Sequence, residues 1–173
     1  MKLIIFNDSF GLTQAVLEGR KTMTRRVCKC EIPLGNWAET EKYAPYQVGD
    51  VVAIAQCYYN VYGYETCISE RGEKDAGIFN KMFVRAKSMP HHIKIMNIRM
   101  ERLQDISDED CIKEGVKRLS ADTFGIKEYA RVPILKIFFS PREAFAALID
   151  KVSGVGTWDS NPLVWVYEFE LVD

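Results

Sequence analysis

The chain has 173 residues, 47% hydrophobic and 27% charged, enough to bury one real core and too short to favour two domains. Its 23 Lys and Arg stand against 24 Asp and Glu, and a formal net charge of −1 excludes a protein that coats nucleic acid by bulk electrostatics. No apolar run approaches the roughly eighteen residues of a membrane span, and five cysteines without a paired framework, behind a start unlike a signal peptide, point to a soluble protein of a reducing cytoplasm.

In chain order, residues 2–6 are a short apolar run suited to a buried strand. Residues 10–18 form a short amphipathic helix, with Leu12, Ala15 and Val16 at helical spacing and Gly19 where a helix ends in the left-handed conformation. Residues 27–47, with Pro33, Gly35 and Pro45, read as a loop. A strand is expected over 51–59, with 62–68 pairing back on it as a hairpin, and a further short strand over 81–86. Residues 93–103 alternate with a slip near Met96-Asn97 that a β-bulge would explain. Ser107-Asp108-Glu109-Asp110 opens a short helix that Gly115 closes. Residues 117–139 have no consistent period and read as a variable insertion. Ser140-Pro141-Arg142-Glu143 then starts a helix carrying Phe145, Leu148, Ile149 and Val152 at i, i+3, i+4 and i+7. Residues 163–172 alternate as a long strand near the middle of a sheet. Strands dominate over three short flanking helices, so the expected class is α+β, a small and mostly antiparallel barrel.

The chemistry concentrates in Gly19-Arg20-Lys21-Thr22-Met23-Thr24-Arg25-Arg26, four cations and two hydroxyls just after a helix stop. In a turn leaving a helix, Lys21 and Thr24 can converge, placing an amine beside a hydroxyl; the plain alternative is a solvated basic loop. From Arg20 to Lys29 there are five basic residues and no acidic one, so a near-neutral chain carries one concentrated positive patch. Cys28-x-Cys30 has no second pair at zinc-finger spacing and His91-His92 is the only histidine cluster, so neither metal nor cofactor is expected.

Four stretches in order, residues 17–26, 47–50, 101–116 and 156–166, resemble the ASCH domain, particularly the longer versions carried by phages and prophages. The resemblance covers most of the chain and implies a PUA-like β-barrel, a fold associated with RNA binding in a cleft at the glycine-lysine-threonine motif. Some small ASCH proteins are amidohydrolases that deacylate N-acylated cytidine. Their lysine, their threonine three residues later and their glutamate at the end of the helix after the central strands fall here on Lys21, Thr24 and Glu114. In that chemistry a partly buried amine acts as base, a threonine hydroxyl as nucleophile, and a carboxylate orients or relays the proton.

As ligand contacts the candidates are Arg20, Thr22, Arg25, Arg26, Gln56, Trp158 and Asn161. Arg25 and Arg26 would fork onto phosphate, or one of them is buried against a carboxylate. Trp158 would stack on a base whose edge Asn161 reads, or the two are a barrel plug and an ordinary turn. Gln56 stands where long phage-type members carry Glu, keeping hydrogen bonding without the charge. Three functions are therefore expected to compete: binding of RNA or a nucleotide in a basic cleft, deacylation of N-acylated cytidine-type nucleosides, and a protein-interaction domain without ligand.

Overall fold

The computed structural model describes residues 1–29, 35–129 and 133–172. Along it run β1 (Lys2–Ile4), α1 (Leu12–Leu17), β2 (Met23–Val27), α2 (Trp37–Thr40), β3 (Val51–Ile54), α3 (Tyr58–Tyr62), α4 (Tyr64–Arg71), β4 (His92–Arg102), α5 (Asp108–Lys113), β5 (Lys117–Arg118), β6 (Phe124–Glu128), β7 (Ile134–Phe138), α6 (Pro141–Ser153), α7 (Thr157–Ser160) and β8 (Leu163–Val172). This is a mixed α+β fold with two sheets. The larger has the order β1-β3-β4-β8-β2, parallel between β1 and β3 and antiparallel elsewhere; the smaller is β5-β6-β7, antiparallel throughout.

Neither sheet closes on itself among the described residues. β1 and β2 stand at opposite ends of the larger sheet, and the gap beyond β1 is crossed by a side chain: Arg26 Nη2 donates to the Ile5 carbonyl at 2.7 Å. That seam becomes important below.

The expected bulge is present, as a register shift between Ile95 and Asn97 where β4 pairs with β8. β8 lies between β4 and β2 as expected, but Val164, Trp165, Val166 and Tyr167 are all buried, so both of its faces are covered. On one face the cover comes from the stretch expected to be plain loop. Asn36 caps α2 by accepting from the Ala38 amide, and the Trp37 ring sits 6.3 Å from Trp165 while Tyr46 meets Tyr167 edge-on at 5.3 Å. Residues 30–34 of that loop, Cys30 among them, lie outside the described residues.

All three expected helices form. Ser107 caps α5 through the Asp110 amide, and Ser140 caps α6 through the Glu143 amide. Four more α-helices appear among the described residues, and two of them correct the sequence reading. The strand expected to run to residue 59 stops at Ile54, and the expected hairpin arm at 62–68 is helical instead. Tyr58 and Tyr62, four apart, share one face of α3, where the Arg71 guanidinium lies 3.7 Å and 5.7 Å from their ring centres; Gly63, at φ 78°, breaks α3 from α4. Residues 81–86 are not a strand either. Asn80 accepts from the Met82 amide and folds the stretch into single 3-10 turns, and it pairs with no strand among the described residues. The 117–139 stretch, expected as an irregular insertion, carries the small sheet; residues 130–132 within it lie outside the described residues.

The main core fills the space between the large sheet, α6 and β6, through Ile4, Ile93, Ile95, Val164, Phe145 and Leu148 among others. A second, smaller cluster around Tyr58, Cys67 and Ile78 anchors the α3–α4 excursion. No helix among the described residues is long and apolar enough to cross a membrane.

Candidate active site at the seam of the large sheet

The first part of the basic run folds into a turn, and Met23 to Arg26 continue as β2. Gly19 takes φ 70°, and the amides of Arg20 and Lys21 both donate to the Ala15 carbonyl at 2.9 Å, reversing the chain at the end of α1. The Thr22 amide then donates to the Lys113 carbonyl, tying the turn to the end of α5. Gly115 allows the approach: it sits at φ 108°, and a Cβ there would stand 3.0 Å from Leu12 and 3.7 Å from Lys21 Cδ.

Lys21 is thereby buried, 2% exposed, with Glu114 beside it at 4%. Its amine donates to Glu114 Oε2, the Glu114 carbonyl and the Met23 carbonyl, each at 2.7 Å. The other Glu114 oxygen accepts from Arg25 Nη1 at 3.2 Å. Burial holds the Lys21 amine below the ordinary lysine value, while the Glu114 carboxylate pulls it back up.

Arg25 corrects the phosphate expectation in favour of its alternative. Its guanidinium is occupied by Glu101 at 2.6 Å and Asp110 at 2.7 Å as well as Glu114, and Arg99 shares Glu101, Asp110 and Glu168. Asp110 lies in the first turn of α5, and its carboxylate goes to these arginines. Three cations, Lys21, Arg25 and Arg99, thus face four carboxylates, so the basic run does not project its charge outward as a block.

What the seam encloses is a pocket of about 490 Å³. One wall is the chain just after β1, with Phe6; another is β2, with Thr24, Arg25 and Arg26; Lys21 and Glu114 line it, and α6 closes it with Phe145, Leu148, Ile149 and Val152. Thr24 is 5% exposed, and its hydroxyl makes no hydrogen bond to any described residue. Lys21 and Thr24 line the same pocket without a direct hydrogen bond between them; the amine's three donors are placed on oxygen atoms. Cys111, on the neighbouring α5, is no rival nucleophile: it is fully buried and its thiol is pushed up to about 12, chiefly by desolvation.

The remaining candidates divide. Arg26 lines the pocket, half-buried, its guanidinium 5.8 Å from the Phe6 ring. Arg20 is exposed and paired with Glu18 at 2.5 Å, away from the pocket. Thr22 contributes backbone bonds, to Lys113 and from the Phe169 amide. Trp158 packs edge-on against Phe145 at 6.2 Å with Arg142 over its ring, and Asn161, at φ 43°, accepts from the Gln104 amide at 2.8 Å; both hold the turn before β8. Thr157, Ser160 and Pro162 of that turn reach the pocket instead. Gln56 lines a different depression.

Sequence reasoning missed Phe6 and the α6 wall. The signal for the wall was present, since Phe145, Leu148, Ile149 and Val152 form the apolar stripe of α6. An apolar stripe does not distinguish a core from the lining of a cavity, and only Val152, 39% exposed at its end, marks the opening. Among the described residues no group of three or more His, Cys, Asp or Glu is placed to hold a metal ion. Compared with protein-family models, with curated proteins and with solved structures, the chain matches none of them.

Proposed function

We propose that this chain is a cytoplasmic ASCH-type domain of the long phage or prophage kind, its large sheet a PUA-like barrel left open between β1 and β2, and that it hydrolyses an amide on a nucleoside-sized ligand of the N-acylated cytidine type. The observation that carries the reading is that Thr24, 5% exposed and with no hydrogen bond from its hydroxyl to a described residue, lines the same pocket as the Lys21–Glu114 pair. A pocket of this volume fits a small molecule. In the reaction Thr24 Oγ attacks the acyl carbon, the Lys21 amine takes the hydroxyl proton and returns it to the departing amine, and water then releases the acyl group from Thr24. Glu114 orients the amine. When Lys21 is neutral it has two donors for three oxygen atoms, so one acceptor is released and the amine gains a lone pair for the hydroxyl proton.

Binding of RNA or a nucleotide without turnover is the second reading, favoured by the occupation of all three Lys21 donors and by Arg26 and Lys29 on the pocket wall. Incubating the purified protein with a panel of N-acylated cytidines separates the two. Deacylation that falls at least about a hundredfold in Thr24→Val and in Lys21→Met is expected for the hydrolase. Binding of cytidines without any deacylation would leave only the second reading.

A further inference from the structure

The seam pocket has two unlike ends. Toward solvent its lining is polar, with Lys29, Ser153 and Ser160 exposed and Thr157 half-buried. Toward the core it is apolar: Leu12, Phe145, Leu148 and Ile149 are each 6% exposed or less. The Phe6 ring marks the border, its centre 5.8 Å from the Lys21 amine on one side and 5.8 Å from the Arg26 guanidinium on the other. Thr24, Lys21 and Glu114 are buried and belong to the inner end.

The charges of that inner end are already matched. The Lys21 amine is bonded to three oxygen atoms, and Arg25 is paired with Glu101, Asp110 and Glu114. A charged group carried in beside them would lose its water without a free partner to replace it, whereas an apolar group gains by covering the α6 wall.

Thr24 fixes which way a substrate amide runs. A nucleophile reaches a carbonyl carbon across the plane of the amide, so attack from β2 holds that plane flat between β2 and α6, with the acyl chain and the leaving amine pointing along the pocket in opposite directions. The hydroxyl-bearing nucleoside suits the polar mouth, which leaves the inner end to the acyl chain. Resting on the acylcytidine reading of this pocket, we infer that the acyl group is a neutral, apolar chain longer than acetyl, and that Leu148 and Ile149 select it. The chain is carried by Thr24 as an ester and freed by water as the carboxylic acid, while cytidine leaves through the mouth. An acetyl group would offer the wall a single methyl.

Measuring kcat/KM of the whole protein on cytidines N-acylated with acetyl, butyryl, hexanoyl or succinyl groups tests this. The value rises about fourfold for each methylene from acetyl to butyryl and is higher still for hexanoyl. Succinyl, as long as butyryl but ending in a carboxylate, falls at least about tenfold below butyryl. In Leu148→Ala and in Ile149→Thr the hexanoyl-to-acetyl ratio drops about fourfold or more, a readout that a smaller folded fraction does not move, because it lowers both rates alike. Acetyl cleaved as fast as the longer chains, or succinyl cleaved as well as butyryl, overturns this inference and leaves the hydrolase reading standing. A ratio unchanged in both variants overturns it too. If no acylcytidine is cleaved, both fall.

Discussion

The end of the large sheet and the edge of the small one invert the usual partition in opposite ways. At the seam, Lys21, Arg25 and Glu114 are buried charges. On β7, Ile134, Leu135 and Ile137 are exposed apolar residues, each close to half open or more, with Phe139 at 80% just beyond. The buried charges have partners on nearly every donor and acceptor, drawn from β2, β4 and α5, so removing one strands the others. The apolar residues of β7 lie on an edge strand whose ladder, among the described residues, is with β6 alone, so each can change without leaving a described neighbour unsatisfied. An unusual environment fixes geometry only where its groups depend on one another.

The sharpest way to break that contrast is Glu114→Ala. It leaves two cations buried without their shared carboxylate, and the expected loss is about 3–5 kcal/mol, read by denaturant unfolding. A loss below about 1 kcal/mol, the range of exposed pairs, would mean that the pair is hydrated in solution.

Next in size is the pH response of Lys21. With its pKa lowered mainly by burial, the folded chain gives up this proton at lower pH than the unfolded chain, which binds more protons in that window. Stability therefore climbs as pH rises from the folded value toward the ordinary lysine value of 10.5, and hydrolysis by a neutral amine climbs with it. Glu114→Gln removes the opposing charge and moves the rate profile to lower pH. A profile that stays in place, or moves up, would remove Lys21 as the base.

Asp50 supplies a surface comparison. Its carboxyl is held below the usual value by Lys2 at 2.8 Å and by the Gln47 amide, joining β1 to the turn before β3. That contribution is present above the unfolded carboxyl pKa and fades as pH falls through the folded one. Asp50→Asn should cost about 0.2–1 kcal/mol at neutral pH and nothing at strongly acid pH. The smallest effect belongs to β7, where Ile137→Lys should change stability by no more than about 0.5 kcal/mol. A cost several times larger would show that this edge is covered in solution.

How much was legible follows the range of the interactions. Ser107 and Ser140 cap within their own next three residues, Gly19 and Gly115 turn the chain by themselves, and the slip in alternation at Met96-Asn97 is a local count, so the helices, the turn at Lys21 and the bulge could be read from the sequence. The tyrosines of 58–64 misled because aromatic residues suit strands, and nothing nearby announced that Arg71 would stack across Tyr58 and Tyr62 on a helix.

By itself the sequence determined that Lys21 leaves a helix through a tight turn and that Glu114 ends a capped helix. The tertiary structure decided that Glu114 meets Lys21 across 93 positions, that Arg25 faces carboxylates instead of ligand, that Gln56 lies off the pocket, and that the pocket opens where β1 and β2 fail to pair. A cap or a glycine turn gains its energy from neighbours in sequence, whereas burying a charge is tolerable only if partners from distant strands arrive together, and that depends on the packing of the whole chain.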